Sequence, residues 1–431
     1  MNLLKFAHKI NELGGTLYVV GGILRDFALN GVEITTEAIL QQCEYGVDID
    51  LALEGLDIGD IAKLCPVAPA STSRSNAPVY LVTLENMSFP VKYELALTRR
   101  EKNTGVGTNM VVFERGNIVD DMYRRDFTIN SMAFDLAAGI LIDPTGMGYQ
   151  DAKDRILRIT DPQNFSQSIE RCMRAFAIIA ITGVHPIEET VNVCRDMYHQ
   201  YRKELPVEQL WRQGFGKVAK RGVYINEAVL FLIKSDWYRT LPLCNLARLK
   251  ESWERIAEKR MAFDNPFPPS QLEELYLAAI VDAAEPKLSV RAIADMVGYG
   301  MSDMDGEMGR KHVLSKIQLF FDANFDAPAP IVANMVHPHS IHSMRHLLSL
   351  FAKPRTVAKI LHEARLASVM HERQRPFVSG DDLLEIGYKT GKPLGKVIQL
   401  LYSQQLQGKL TSRDDALAVA ESVLMDVSKA R

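Results

Sequence analysis

Val47-Asp48-Ile49-Asp50-Leu51-Ala52-Leu53 alternates with period two, so Val47, Ile49, Leu51 and Leu53 are predicted on one face of a strand and Asp48 and Asp50 on the other. Both carboxylates then project from the same side, about 7 Å apart at the backbone. Their side chains can converge on one or two Mg²⁺ ions, and paired ions in phosphoryl chemistry lie about 3.5–4 Å apart. An isolated pair of this kind arises routinely wherever a half-solvated strand turns its polar side outward. Upstream, however, the β-branched and aromatic run Leu17-Tyr18-Val19-Val20 ends in Gly21-Gly22, where backbone can approach a ligand closely. Ile23 to Leu29 reads as a helix whose free N–H groups face that ligand, with the Arg25 fork one turn in, an arrangement that suits phosphate oxygens. Together the two halves imply attack on an α-phosphate with pyrophosphate leaving.

Further candidates lie downstream. Glu94, on a predicted strand over 91–98, is either a third carboxylate for the metal or a solvated strand residue. Arg124, Arg125, Asp126 and Asn130 are read on a helix turn. They form either a surface ion-pair patch, worth little energetically, or contacts to triphosphate and ribose hydroxyls. Asp143-Pro144-Thr145-Gly146 is a turn by composition. Residues 352–375 hold six Lys/Arg, among them Lys353, Arg355, Arg373 and Arg375, against Glu363 and Glu372, which makes either a solvated helix or a basic face for RNA. His337, His339, His342 and His346 invite a metal, and the last three fall on roughly one helical face. No acidic partner accompanies them, so a structural or RNA-facing role is expected.

The elements that must position these groups change character along the chain. Strands are predicted at 17–20, 47–53, 79–83, 91–98 and 132–136, with a helix near 57–65 and a mobile loop at 105–116. Beyond about residue 160 the periodicity is helical, with breaks at Pro206, 265–269, 327–330, Pro354 and 377–380, and no fixed-period repeat. The 431 residues suffice for two to four domains. Five scattered cysteines without a C-x-x-C pair fit a reducing cytosol and argue against zinc. The longest apolar run, Ala175 to Ile181, is too short to span a bilayer, and no signal-type segment opens the chain, so a cytoplasmic protein is expected. A net charge of −3 implies that any nucleic-acid partner meets a local basic face.

As a set and in this order, these stretches resemble the class II tRNA nucleotidyltransferases and the related bacterial poly(A) polymerases of the polymerase-β-like superfamily. Gly21-Gly22-Ile23-Leu24-Arg25-Asp26 with Val47-Asp48-Ile49-Asp50 looks like the family's motif for triphosphate and two metal-binding aspartates. Arg124-Arg125-Asp126-Phe127-Thr128-Ile129-Asn130 is similar to its triphosphate and ribose motif. Asp143 and Gly146, with Asp151, Leu157 and Arg158, match its hinge. Pro206 to Arg212 is similar to its neck segment, and Ser379 to Leu410 looks like its tRNA-gripping tail. The resemblance implies an α+β fold: a small mixed-sheet head over 1–145, then an all-α neck over 146–225, body over 226–350 and tail over 351–431.

Two departures stand out. The nucleotide-selecting motif of the family carries a Glu-Asp pair, then, after two residues, an Arg; here Gln167-Ser168 replace the pair while Arg171 is kept, followed by Arg174. Gln209 stands where an Arg is usual. A carboxylate only accepts hydrogen bonds, whereas a serine hydroxyl also donates, so the change bears on base choice. The expected activity is template-independent transfer of NMP from CTP or ATP to an RNA 3′-hydroxyl with Mg²⁺, with tRNA as acceptor and no membrane partner. Asp48 and Asp50 hold the metals, Gly21, Gly22 and Arg25 the triphosphate, and Ser168, Arg171 and Arg174 the base. Poly(A) synthesis, altered base or acceptor specificity and a non-catalytic RNA-binding relative are the alternatives.

Overall fold

The computed structural model describes residues 1–429 except 45–48, 71–77, 87, 88, 104–110, 206–209, 243, 262–268, 286, 287, 298 and 300–305. It divides into two compact units, Met1–Leu241 and Pro242–Arg431.

The first unit opens with α1 (Leu3–Glu12), β1 (Thr16–Val20), α2 (Gly22–Leu29), α3 (Thr36–Glu44), β2 (Asp50–Glu54) and α4 (Ile58–Ile61). There follow β3 (Val67–Pro69), β4 (Val79–Asn86), β5 (Phe89–Leu97), β6 (Arg99–Asn103), β7 (Val111–Arg115) and α5 (Ile118–Tyr123). Next are a 3₁₀ turn (Thr128–Asn130), β8 (Ala133–Asp135), β9 (Ile140–Ile142) and α6 (Gly148–Lys153). Seven strands form one sheet in the order β3-β4-β5-β2-β1-β8-β9. The β2–β5 pair is parallel and its neighbours antiparallel, so the sheet is mixed as expected.

One face of the sheet carries the main core. Phe6 and Ile10 of α1, Leu24 and Phe27 of α2 and Ile39 of α3 pack on Leu17, Val19, Leu51, Leu53 and Leu95. The polar-out alternation expected for β2 holds only at its start, where Asp50 is exposed and Leu51, Ala52 and Leu53 are all buried. Ile118 and Met122 of α5 close the opposite face over Tyr18, Val20, Ala52 and Ala133. The face that carries Asp50 is therefore a second, smaller core with an open end. Residues 111–115, expected in a loop, pair with 99–103 as an antiparallel ribbon, since Val111-Val112-Phe113 has strand character; residues 104–110 lie outside the described set.

Helices dominate from there. β10 (Ile156–Leu157) and α7 (Pro162–Phe165) lead to α8 (Glu170–Thr182), which ends at Gly183 with φ +70°, a left-handed C-cap that favours glycine. β11 (His185–Pro186), α9 (Glu188–Tyr201), a π-turn (Trp211–Phe215), α10 (Gly216–Arg221) and α11 (Ile225–Lys234) complete the first unit's main elements.

The second unit is helical from Leu246–Met261 to Arg413–Lys429. Several of its helices begin where breaks were predicted, at Pro269, Ala329, Pro354 and Gly380. His339, His342 and His346 do not share one helix: a reciprocal Ser340–Ser343 turn lies among them, and the helix starts only at Arg345. His339 packs edge-on against His312 at 4.5 Å, and His346 accepts from Arg345 Nε at 3.1 Å. No group of three or more potential metal ligands gathers among the described residues. No described helix is long and apolar enough to cross a membrane.

Candidate active site

The open end of the smaller core is built from the turn between β1 and α2. Val20 and Asp50 are register partners on antiparallel strands, and Asp50 and Glu94 are partners on the parallel pair. Partners across a ladder point to the same side of the sheet, so the two carboxylates share a face about 4.8 Å apart at the backbone. Gly21 follows Val20 with φ +86°, and a Cβ built there would lie 2.8 Å from Asp50 Oδ2. Only glycine leaves room for that carboxylate. Two anionic oxygen donors on one open face suit a hard divalent cation. Asp48, the other predicted ligand, falls outside the described residues.

Gly21 is also the N-cap of α2 without a side-chain cap, which leaves the helix's first N–H groups for a ligand. A Cβ at Gly22 would meet Arg25 Nη2 at 3.2 Å, so the Arg25 fork folds back over the turn. Arg25 Nε donates to Asp26 Oδ1 at 2.8 Å and Nη1 to Asn130 Oδ1 at 3.0 Å. Asn130 Nδ2 donates to Asp126 Oδ1 at 3.1 Å, and Asp126 Oδ2 pairs with Arg174 Nη2 of α8 at 2.8 Å. One run of polar contacts thus joins the glycine turn to α8. Burial alone would push the Asp126 carboxyl up, but Arg174, the Asn130 amide and Arg171 together hold it below the ordinary carboxylate range.

Arg124 and Arg125 occupy the C-terminal end of α5, not a longer helix turn: Asn117 caps the start of α5 in a reciprocal box with Asp120, and the helix stops at Tyr123. Asp121 is the keystone. Its side chain is 2% exposed, accepts from Arg124 Nη2 at 2.7 Å and from Arg125 Nη2 at 3.1 Å, and also takes the Arg99 amide at 3.3 Å. The patch is a buried lattice rather than a surface one. Burial opposes ionisation of Asp121, and the two guanidinium groups override it and lower its pKa.

Glu101 of β6 bridges Arg124 at 3.4 Å and Arg171 at 3.5 Å. Arg171, 8% exposed, spends Nη1 on the Asn164 carbonyl at 2.6 Å and Nη2 on the Arg124 carbonyl at 2.8 Å. Arg99, Arg124, Arg125, Arg171 and Arg174 thus meet three carboxylates, Glu101, Asp121 and Asp126. The surplus is positive. Burial, and then Arg124, push the Arg99 guanidinium down to about 10.

Gln167 and Ser168 sit half-buried between α7 and α8; Gln167 Nε2 reaches Asn164 Oδ1 at 3.3 Å, while its Oε1 is buried without a partner. The predicted hinge is a tight joint. Asp143 accepts from Thr145 Oγ1 at 2.7 Å and from the Tyr149 amide at 3.1 Å, and Gly146 has φ +66°. Thr128 and Arg158 converge on Asp151 at 2.7 and 3.0 Å. In the second unit Lys353, Arg355, Arg373 and Arg375 are all exposed.

Sequence reasoning missed Asp121, Glu101 and Asn164 as partners of the arginines. Asp121 was signalled by its place beside them; Glu101 and Asn164 gave no signal, because strand pairing and helix packing bring them in from elsewhere.

Residues 17–158 match the poly A polymerase head domain. The chain is 23% identical to the A-adding tRNA nucleotidyltransferase of Halalkalibacterium halodurans, over 97% of this chain and 91% of that one. It is 25% identical to the CCA-adding enzyme of Bacillus pumilus, over 95% and 94% respectively. Its fold matches the crystal structure of Bacillus stearothermophilus CCA-adding enzyme in complex with CTP, with a TM-score of 0.67, 18% identity and coverage of 99% of this chain and 98% of that one. The chain thus resembles a poly A polymerase head over residues 17–158, and along nearly its whole length it is similar to tRNA nucleotidyltransferases that add A or CCA.

Proposed function

We propose that the protein transfers NMP from CTP or ATP to the 3′-hydroxyl of tRNA without a nucleic-acid template, using Mg²⁺, in the cytoplasm. The observation that carries this reading is the run Gly21, Arg25, Asn130, Asp126, Arg174, which starts beside the Asp50 carboxylate and ends on α8. The names of the full-length relatives support the substrate class.

In this reading Asp50, with Asp48 and Glu94, holds the metal. When bound, a divalent ion supplies charge that acidifies the attacking hydroxyl and neutralises the leaving pyrophosphate. The N–H groups at the start of α2 and the Arg25 fork receive the triphosphate. Asn130 and Asp126 orient the ribose, and the positive surplus around Asp121, shared with Arg124 and Arg125, offsets the phosphate charge. Ser168, Arg171 and Arg174 border the space for the base. Asp143 and Gly146 set the angle between a head over 1–145 and a neck over 146–225, and Lys353, Arg355, Arg373 and Arg375 contact RNA from the tail.

The test is direct. tRNAs ending before, within and after C-C-A are incubated with each labelled NTP singly and in mixture, and the 3′ ends are sequenced. Addition of C or A to the shortened tRNAs supports the reading; no addition to any of them with any NTP sinks it.

A further inference from the structure

We propose that Lys217, together with Arg174, Arg212 and Arg221, forms a phosphate-binding face for the single-stranded 3′ end of the acceptor RNA. This rests on the nucleotidyl-transfer reading above and names where the second substrate's backbone docks.

The face is built by a close approach. A Cβ at Gly214, in the π-turn before α10, would lie 3.2 Å from Met173 Sδ and 3.3 Å from Met173 Cβ, so the turn sits flush on α8 beside Arg174. Lys217, one helical turn on, is exposed and rests its Nζ on Gln213 Oε1 at 3.1 Å. Arg212 and Arg221 are exposed on the same stretch. Three cationic groups from the π-turn and α10 therefore gather against a fourth from α8. Asp126 offsets part of this charge, but it is already paired to Arg174, whose Nε is buried without a hydrogen-bond partner. Desolvation of its stem and then the charges of Arg174, Arg221 and Arg212 lower the pKa of the Lys217 ammonium, a crowding that an anion relieves.

The geometry favours a phosphodiester over the triphosphate of the incoming nucleotide. The proposed triphosphate cradle lies at Gly21 and Arg25, at one end of the polar run, whereas Lys217 lies within electrostatic reach of Arg174 and Asp126 at the other. A cationic face at the α8 end, away from the triphosphate, is left for the other polyanion of this reaction, the end of the acceptor strand.

The experiment is equilibrium binding of a fluorescently labelled tRNA lacking its terminal A, without NTP, over a salt series, for the wild type, Lys217→Gln, Lys217→Arg and Arg212→Gln. Lys217→Gln is expected to weaken binding about threefold to tenfold at low salt and to reduce the slope of log affinity against log salt by about 0.7 for each phosphate that the side chain neutralises. Lys217→Arg retains both, and the KM for ATP and CTP stays within about twofold. Wild-type affinity and slope in both Lys217→Gln and Arg212→Gln overturn the proposal, as does a raised nucleotide KM with RNA affinity unchanged, or a wild type that does not bind the RNA. Because no NTP is present, a protein that binds RNA in this way yet extends none would count against the transfer reading and not against this one.

Discussion

Arg25 Nη1 donates to Asn130 Oδ1 at 3.0 Å, across 105 positions of the chain, and so locks the phosphate-type turn to the segment that also carries Asp126. The link makes the two motifs one unit. Asn130→Ala removes the acceptor for Arg25 and a donor to Asp126 together. Steady-state kinetics should show kcat/KM for the nucleotide falling about tenfold to a hundredfold, the worth of one charge-assisted hydrogen bond at about 1.5–3 kcal/mol. A double-mutant cycle with Arg25→Ala should give strongly non-additive losses, and additive losses would show the link to be incidental.

Gly21 carries a second prediction. A methyl group there meets Asp50 Oδ2 at 2.8 Å and sits on a backbone with φ +86°. Gly21→Ala should lower nucleotidyl transfer by at least about a hundredfold, since small displacements of positioned groups cost on that order. Melting by circular dichroism should still show a folded protein, and activity within a few-fold of wild type would mean that the carboxylate does not need this approach.

Met122 is fully buried in the smaller core, against the strand face whose open end carries Asp50. Met122→Ala should cost about 2–5 kcal/mol in urea unfolding of the first unit. A loss below about 1 kcal/mol would show that α5 is not held by this packing.

How much of this was legible in the sequence follows from the range of the interactions. The Gly21 turn and the Asp50 strand were legible because both are local: a period of two and a glycine pair report backbone geometry directly. The arginine lattice was not. Arg124 and Arg125 read equally well as surface pairs because their fate depends on Glu101 and Arg171, brought in by a β-ribbon and a helix remote in sequence. The run of histidines misled for the opposite reason, since helical spacing was assumed from His339 to His346, where the chain turns at Ser340–Ser343 before the helix begins at Arg345.

Those histidines predict a pH dependence. Burial, then His312, Lys316 and His337, push His339 down to about 4. Burial, then Arg345, Lys316, His342 and Lys259, push His346 down to about 4 as well. Both folded values lie below the ordinary value near 6.5, so between about 6.5 and 4 the unfolded chain binds more protons and stability falls as pH falls. Glu274, raised by burial against the opposing charge of Lys316, works in the other direction. The difference between the wild type and a His339→Gln, His346→Gln variant isolates the histidines: its melting temperature should fall less steeply with pH over that window. Parallel curves would contradict the assignment.

In the proposed function Ser168 borders the space for the base. Ser168→Asp restores a fixed acceptor at the start of α8, and in competition assays preference for ATP and CTP over GTP and UTP should rise about tenfold, the low end for a hydrogen bond to a charged group. An unchanged preference would place selection elsewhere, with Arg171 or Arg174.

The central claim is that Asp50 holds the metal for nucleotidyl transfer. The most direct measurement is single-turnover incorporation of labelled NMP into a shortened tRNA by Asp50→Asn, beside equilibrium RNA binding by the same protein. Removing the charge of a metal ligand forfeits several kcal/mol of transition-state stabilisation, so incorporation should fall about a thousandfold or more while RNA binding stays intact. Incorporation near the wild-type rate would contradict the account.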